Sequence, residues 1–219
     1  MSMPKPTLRE LSRQASRRRI ADVALELFDE HGYDATTVEE IAAAAGISER
    51  TFFRYFATKD EAFFSTATED TATVVELVRS RPGTEAPWNA LQYAVEQLLG
   101  ELDQDAEYER SRRYRAILAG SADLTAHQFA RMSDSQDRIG EALWERWSAA
   151  QQREILDAEA ADMRVVLRAL VGSMLGVLSE VIMHTEDRTP EGRMTLVRST
   201  FDAIRPGRAD IGGAASPSR

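Results

Sequence analysis

Between Ser48 and Lys59 the sequence SERTFFRYFATK gathers Arg50, Arg54 and Lys59, the hydroxyls of Ser48, Thr51 and Tyr55, and the rings of Phe52, Phe53, Tyr55 and Phe56. Cations neutralise phosphate charge, hydroxyls bond phosphate oxygens, and forked or planar groups reach base edges. This mixture on one short helix therefore suits a nucleic-acid groove. Phe52 and Phe56 lie four residues apart and can pack inward, which leaves Glu49, Arg50, Thr51, Phe53, Arg54 and Tyr55 largely on the surface. A solvated amphipathic helix has the same periodicity, so spacing alone does not separate the two readings.

The elements that must hold these side chains are two short helices and a turn. Thr36 with Glu39 and Thr37 with Glu40 both fit a capping box, so either threonine can start the first helix. Ile41, Ala42, Ala44 and Ala45 give it a small apolar face that lets a neighbour approach closely. Gly46 supplies a left-handed stop and Ser48 caps the second helix. Together they predict a helix-turn-helix. A preceding helix is predicted from about Ser16 to His31, with Ile20, Val23, Ala24, Leu27 and Phe28 at core spacing and Gly32 ending it. A further helix is predicted from near Thr58 through Val78. Lys59 stands in its first turn, where a cation opposes the helix dipole and needs some other partner.

Net charge is −9 over 219 residues, yet its distribution favours a nucleic-acid partner. Lys5, Arg9, Arg13, Arg17, Arg18 and Arg19 stand against Glu10 alone in the first 20 residues, and residues 21 to 46 carry seven acids and no Lys or Arg. Positive charge brackets the two-helix motif, and counterion release needs only local charge. Residues 1 to 15 read as a basic disordered arm.

The segment GISERTFFRYFATKDEAF resembles the recognition segment of the tetracycline-repressor (TetR) family through Gly46, Ile47, Ser48, Thr51, Phe52, Tyr55, Phe56 and Lys59. With the upstream TTVEEIAAAAG the resemblance covers roughly residues 17 to 64. Phe53 stands where the family usually has Tyr, so a phenolic contact is replaced by stacking or apolar contact. The resemblance implies an all-α protein: an N-terminal three-helix DNA-binding head with a helix-turn-helix, and a C-terminal helical domain for ligand binding and dimerisation. It also implies DNA contacts from Arg17, Arg18, Arg19, Thr37, Ser48, Glu49, Arg50, Thr51, Phe53, Arg54, Tyr55 and Lys59, with Lys59 on a phosphate.

The stretch RSRPGTEAP, Arg79 to Pro87, is the clearest break. The expected division is a DNA-binding domain over 16–64 and an effector and dimerisation domain over 65–205, with a disordered tail over 206–219. Beyond the break, helices are expected at about 88–102, 105–119, 122–150, 157–185 and 190–204. A broad apolar stripe on the fourth of these, including Leu170, Met174, Leu178 and Val181, and a second with Val197 and Phe201, are expected to form a dimer interface of four helices, the alternative being that both stripes are buried within one monomer. Two-fold symmetry would then set two recognition helices about 34 to 36 Å apart on a palindrome. Trp88, Tyr93, Tyr114, Phe129, Met132, Trp144, Trp147, Met163 and Leu167 are the bulky residues expected to wall an effector cavity, although such residues also pack cores.

In TetR-like proteins this region holds an effector pocket, which implies an allosteric repressor released by a small molecule. That effector is expected to be apolar, or acyl-CoA-like if Arg110, Arg112, Arg113 and Arg115 face an anion; a solvated helix face is the favoured reading of these arginines. Other classes remain open: a helical small-molecule-binding dimer without DNA activity, or an all-α enzyme. The chain has no Walker loop, nucleophile elbow or zincin His-Glu pair. His31, His127 and His184 are scattered, so no metal site and no cofactor are expected. Zero cysteines, no signal-like apolar run and a longest apolar segment interrupted by Arg168 and Glu180 predict a cytoplasmic protein without a membrane span.

Overall fold

In a computed structural model of the protein, residues 7–101, 105–151, 155–184 and 189–207 are described. The expectations for residues 1–6 of the arm and 208–219 of the tail lie outside them. The described residues form ten α-helices: α1 Leu8–His31, α2 Val38–Ala45, α3 Glu49–Tyr55, α4 Lys59–Phe63, α5 Ser65–Ser80, α6 Pro87–Glu101, α7 Asp105–Gly120, α8 Ala122–Ala149, α9 Asp157–His184 and α10 Pro190–Ala203.

Packing sorts them into two compact units. The first comprises residues 1–70 and 105–129, the second 71–104 and 130–219. The N-terminal head is therefore not confined to residues 16–64, because α7 and the start of α8 pack on it. Ile117 and Leu124 share one core with Ile20, Ala24, Phe28, Ile41, Phe52, Phe56 and Phe63, and the Tyr114 ring stacks on Phe63 at 4.5 Å between centroids.

The first helix starts at Leu8, eight residues before the expected Ser16. Its cause is local: Thr7 and Glu10 form a capping box, the Glu10 N–H donating to the Thr7 hydroxyl at 3.3 Å and the Thr7 N–H donating to Glu10 Oε2 at 2.7 Å. The helix expected from Thr58 to Val78 is broken after Phe63, so that α4 and α5 are separate elements.

In the second unit Val74, Val78, Trp88, Leu91, Leu143, Leu167, Val171, Met174, Val197 and Phe201 form the core. The break at residues 81–86 is tied down within this unit: the buried Arg146 guanidinium donates to the carbonyls of Pro82 and Glu85. Helices α8 and α9 come close at Gly172, where an added Cβ would meet the Gln136 side chain at 3.1 Å. Arg164 pairs with Glu141 at 3.1 Å and Arg168 with Asp137 along the same seam.

Within one chain this core takes in most of the residues expected at the dimer interface. Leu170, Met174, Val181, Val197 and Phe201 are all buried inside one chain, and Leu178 is half-buried against them. Apolar spacing locates a face that must be covered, and here α6, α8 and α10 cover most of it. What α9 leaves open is a different line: Val165 at 69% exposure, Ala169, Ser173, and Gly176, whose Cβ position meets nothing within 4 Å. Since Phe201 is fully buried, Phe201→Ala should destabilise the chain by about 3 to 5 kcal/mol in urea unfolding. An interface role alone would instead change only self-association.

Candidate nucleic-acid interface

Three caps and one turn set the geometry of the two-helix motif. Of the two threonines, Thr37 caps α2: its hydroxyl accepts from the Glu40 N–H at 3.2 Å, and its own N–H donates to Glu40 Oε2 at 2.8 Å. Thr36 is buried and donates to the Gly32 carbonyl at 2.8 Å. Gly46, at φ 71°, ends α2; its N–H reaches the Ala43 carbonyl at 3.1 Å and the Ile47 N–H reaches Ala42 at 2.9 Å. Ser48 then caps α3, accepting from the Thr51 N–H at 3.2 Å.

Phe52 and Phe56 turn inward and are fully buried, as their spacing requires. That leaves Glu49, Arg50, Phe53 and Arg54 on the outer side of α3, with Phe53 at 52% exposure. Ser48 is exposed, and Thr51 and Tyr55 are half-buried along its flanks. The Tyr55 phenol is held below its ordinary pKa by its hydrogen bond with Ser16, then by one from Arg54, with the Arg54 and Arg13 charges adding to it. The outer face thus carries two guanidinium forks and a ring on a helix whose other side is fixed.

Two expected contact residues are engaged inside the unit. Arg17 donates to the Tyr55 carbonyl, lies 4.2 Å from the Phe56 ring centroid and pairs with Glu69 at 3.5 Å. Lys59 donates to the carbonyls of Tyr33 at 2.8 Å and Thr36 at 3.0 Å, with its ammonium 4.3 Å from the Tyr33 ring centroid. Those carbonyls supply the partner that the helix-dipole argument called for. Arg18 and Arg19 are exposed on α1.

Sequence reasoning missed a polar chain behind the motif. The Tyr33 hydroxyl donates to Asp60, and Asp60 Oδ2 lies 2.6 Å from His127 Nδ1. Burial, then the bond to Asp60, pushes the Tyr33 phenol above its ordinary value. No local spacing links residues 33, 60 and 127, so only packing reveals the chain.

The residues expected to wall an effector cavity are not brought together as one set. Tyr114 and Phe129 belong to the first unit, with Phe129 at 69% exposure, while the other seven belong to the second. There Trp88 and Leu167 are core, and Met132, Trp144, Trp147 and Met163 are half-buried. Tyr93 sits at the surface beneath the Arg81 guanidinium, 4.2 Å from its ring centroid. Two clefts of about 460 and 430 Å³ lie in the first unit, and neither is lined by any of the nine. Three arginines of the basic run of α7 are paired internally, Arg110 with Asp22 at 2.6 Å, Arg113 with Asp29 at 3.7 Å and Arg112 with Glu109 at 3.2 Å, while Arg115 is buried.

Residues 20–65 match the family model for bacterial regulatory proteins of the tetR family. The chain is 36% identical over 206 residues to the HTH-type transcriptional regulator TcmR of Streptomyces glaucescens, covering 92% of this chain and 88% of that one. The chain belongs to the TetR family. It is also 42% identical over 81 residues to the HTH-type transcriptional repressor Rv1474c of Mycobacterium tuberculosis, covering 37% of this chain and 42% of that one. Among solved structures, a putative TetR-family regulator from Syntrophomonas wolfei has the same fold, at a TM-score of 0.60 and 15% identity over 91% of this chain and 99% of that one. The SmeT–triclosan complex superposes at 0.53 with 24% identity, over 94% of this chain and 99% of that one. As a TetR-family member the protein is a DNA-binding transcriptional regulator, and its helix-turn-helix is α2 and α3. No described helix is long and apolar enough to cross a membrane.

The cap on α2 has a pH signature. Bonds from the Thr37 N–H and hydroxyl hold the Glu40 carboxyl below its ordinary 4.5. A carboxyl lowered by folding stabilises the native state above the unfolded pKa and loses that contribution as pH falls through the folded value. Acid unfolding of Glu40→Gln should therefore lack this component, and an NMR titration should place the Glu40 midpoint below 4.5.

Proposed function

We propose that the protein is a homodimeric repressor that grips a palindromic operator with two copies of α3 and releases it when a small apolar molecule binds the second unit. One observation carries the DNA part. Burial of Phe52 and Phe56 leaves Arg50, Phe53 and Arg54 together on the outer face of α3, beside the hydroxyls of Ser48, Thr51 and Tyr55. Arg50 and Arg54 reach base edges, Phe53 meets an apolar base surface such as a thymine methyl, and Glu49 can accept from a cytosine amino group. Ser48, Thr51, Tyr55, Arg18 and Arg19 take phosphates. Lys59, with two of its protons on carbonyls, has one left for a phosphate, and Thr37 has its hydroxyl within its own cap.

Self-association is assigned to the open line on α9, Val165, Ala169, Ser173 and Gly176, because small side chains let two helices approach closely. The effector is read as apolar because Asp22, Asp29 and Glu109 already pair with three of the four arginines that would have received an anion. Trp144 and Trp147, 5.4 Å apart, and Met132 and Met163 are its contacts. A DNA-regulating role places the protein in the cytoplasm.

Selection from a random duplex library tests the reading directly, since a chain that enriches no sequence is not an operator-binding regulator. Arg50→Ala should relax preference at one base position at a cost of about 1 to 3 kcal/mol; an unaltered selected motif would remove Arg50 from base readout. Ala169→Arg should convert a dimer to a folded monomer in analytical ultracentrifugation. A variant that stays dimeric would move the interface off this line.

A further inference from the structure

We infer that the DNA-binding surface extends past the two-helix motif onto the first three turns of α1, with Arg9 and Arg13 as phosphate contacts and Arg17 as a positioning residue for α3. The inference rests on the operator-binding reading and adds side chains to it.

Arg9, Arg13, Ser16, Ile20 and Ala24 recur at four, three, four and four residues, which is one face of a helix. At its far end this face is core, with Ile20 and Ala24 buried against the motif. In its middle Ser16 donates its hydroxyl proton to the Ser12 carbonyl at 2.9 Å, and its oxygen is within hydrogen-bond reach of the phenol of Tyr55 in the last turn of α3. The same face therefore continues toward the N-terminus as Arg13, about 4.5 Å along the axis, and Arg9, about 10 Å along it. Both arginines are exposed, and among the described residues neither is paired with a carboxylate. Glu10, the acid between them, is held in the cap with Thr7 at 2.7 and 2.8 Å.

Arg17, one turn further in, cannot play the same part. Its guanidinium is held by the Tyr55 carbonyl, the Phe56 ring and Glu69, so it secures the end of α3. The cap also matters for affinity: residues already helical lose less conformational freedom on binding than a disordered arm would.

The test uses the full chain and the duplex it enriches from a random library. Wild type, Arg9→Gln, Arg13→Gln and the double variant are compared by fluorescence anisotropy over a salt series. Each lost phosphate contact lowers the steepness of log K against log salt by about 0.9, so the double variant should fall by about 1.8. It should weaken equally on the selected duplex and on unrelated sequence, with unchanged circular dichroism. A double variant with the wild-type slope overturns the inference. Arg17→Gln should lower the melting temperature; a loss of about 0.9 in slope with an unchanged melting temperature would return the contact to Arg17 and overturn its positioning role. A wild type without sequence-selective binding takes down the regulator reading itself. A wild type that binds selectively beside a double variant of undiminished slope defeats only the extension onto α1.

Discussion

The orientation of the recognition helix depends on the burial of Phe52 and Phe56 against a core that includes Ile41, Ala42 and Ala45 of α2, on a turn closed by Gly46. Fully burying a phenylalanine contributes about 1.5 to 3 kcal/mol, and a roll by one residue would offer Phe53 for Phe52 but only Ala57 for the buried Phe56, so the core would lose a ring. A helix this short has little intrinsic stability and takes its direction from packing. Which residues face the double strand is thus decided from behind, by what must be hidden.

The first unit carries more than the motif. Helix α7 brings Tyr114 onto Phe63 and Ile117 into the shared core, and it sets Arg110 and Arg113 against acids of α1. The apolar contacts supply most of the stabilisation, since ion pairs near a surface contribute about 0 to 1 kcal/mol each. The pairs do something else: they use up cations that would otherwise have made α7 a second basic surface, so positive charge stays on the α1 and α3 side.

Short-range rules were enough for much of this architecture. The cap at Ser48, the stop at Gly46 and the inward pair Phe52 and Phe56 were readable because each depends on residues within four positions. The start of α1 is also written locally, in Thr7 and Glu10 at capping-box spacing, but an arginine-dense stretch reads as a loose arm when that spacing is not looked for. Longer-range facts were not accessible. The apolar residues of α9 were found, yet periodicity does not say whether Met174 and Val181 meet helices of their own chain or those of a second one. Nor could spacing place Tyr114 in the first unit, or join Tyr33 to Asp60 and His127. Arg17 and Lys59 look like solvent-facing cations in the sequence, and only coordinates reveal the carbonyls they serve.

Those carbonyls have a consequence for how such a protein can change its target. Arg17 and Lys59 fasten the motif through main-chain oxygens at Tyr55, Tyr33 and Thr36, groups that every amino acid possesses. Mutations at positions 49, 50, 53 and 54 therefore leave these fasteners untouched. A lineage carrying this head could drift to a new operator by exchanging four outward side chains while the scaffold beneath them stays mechanically the same.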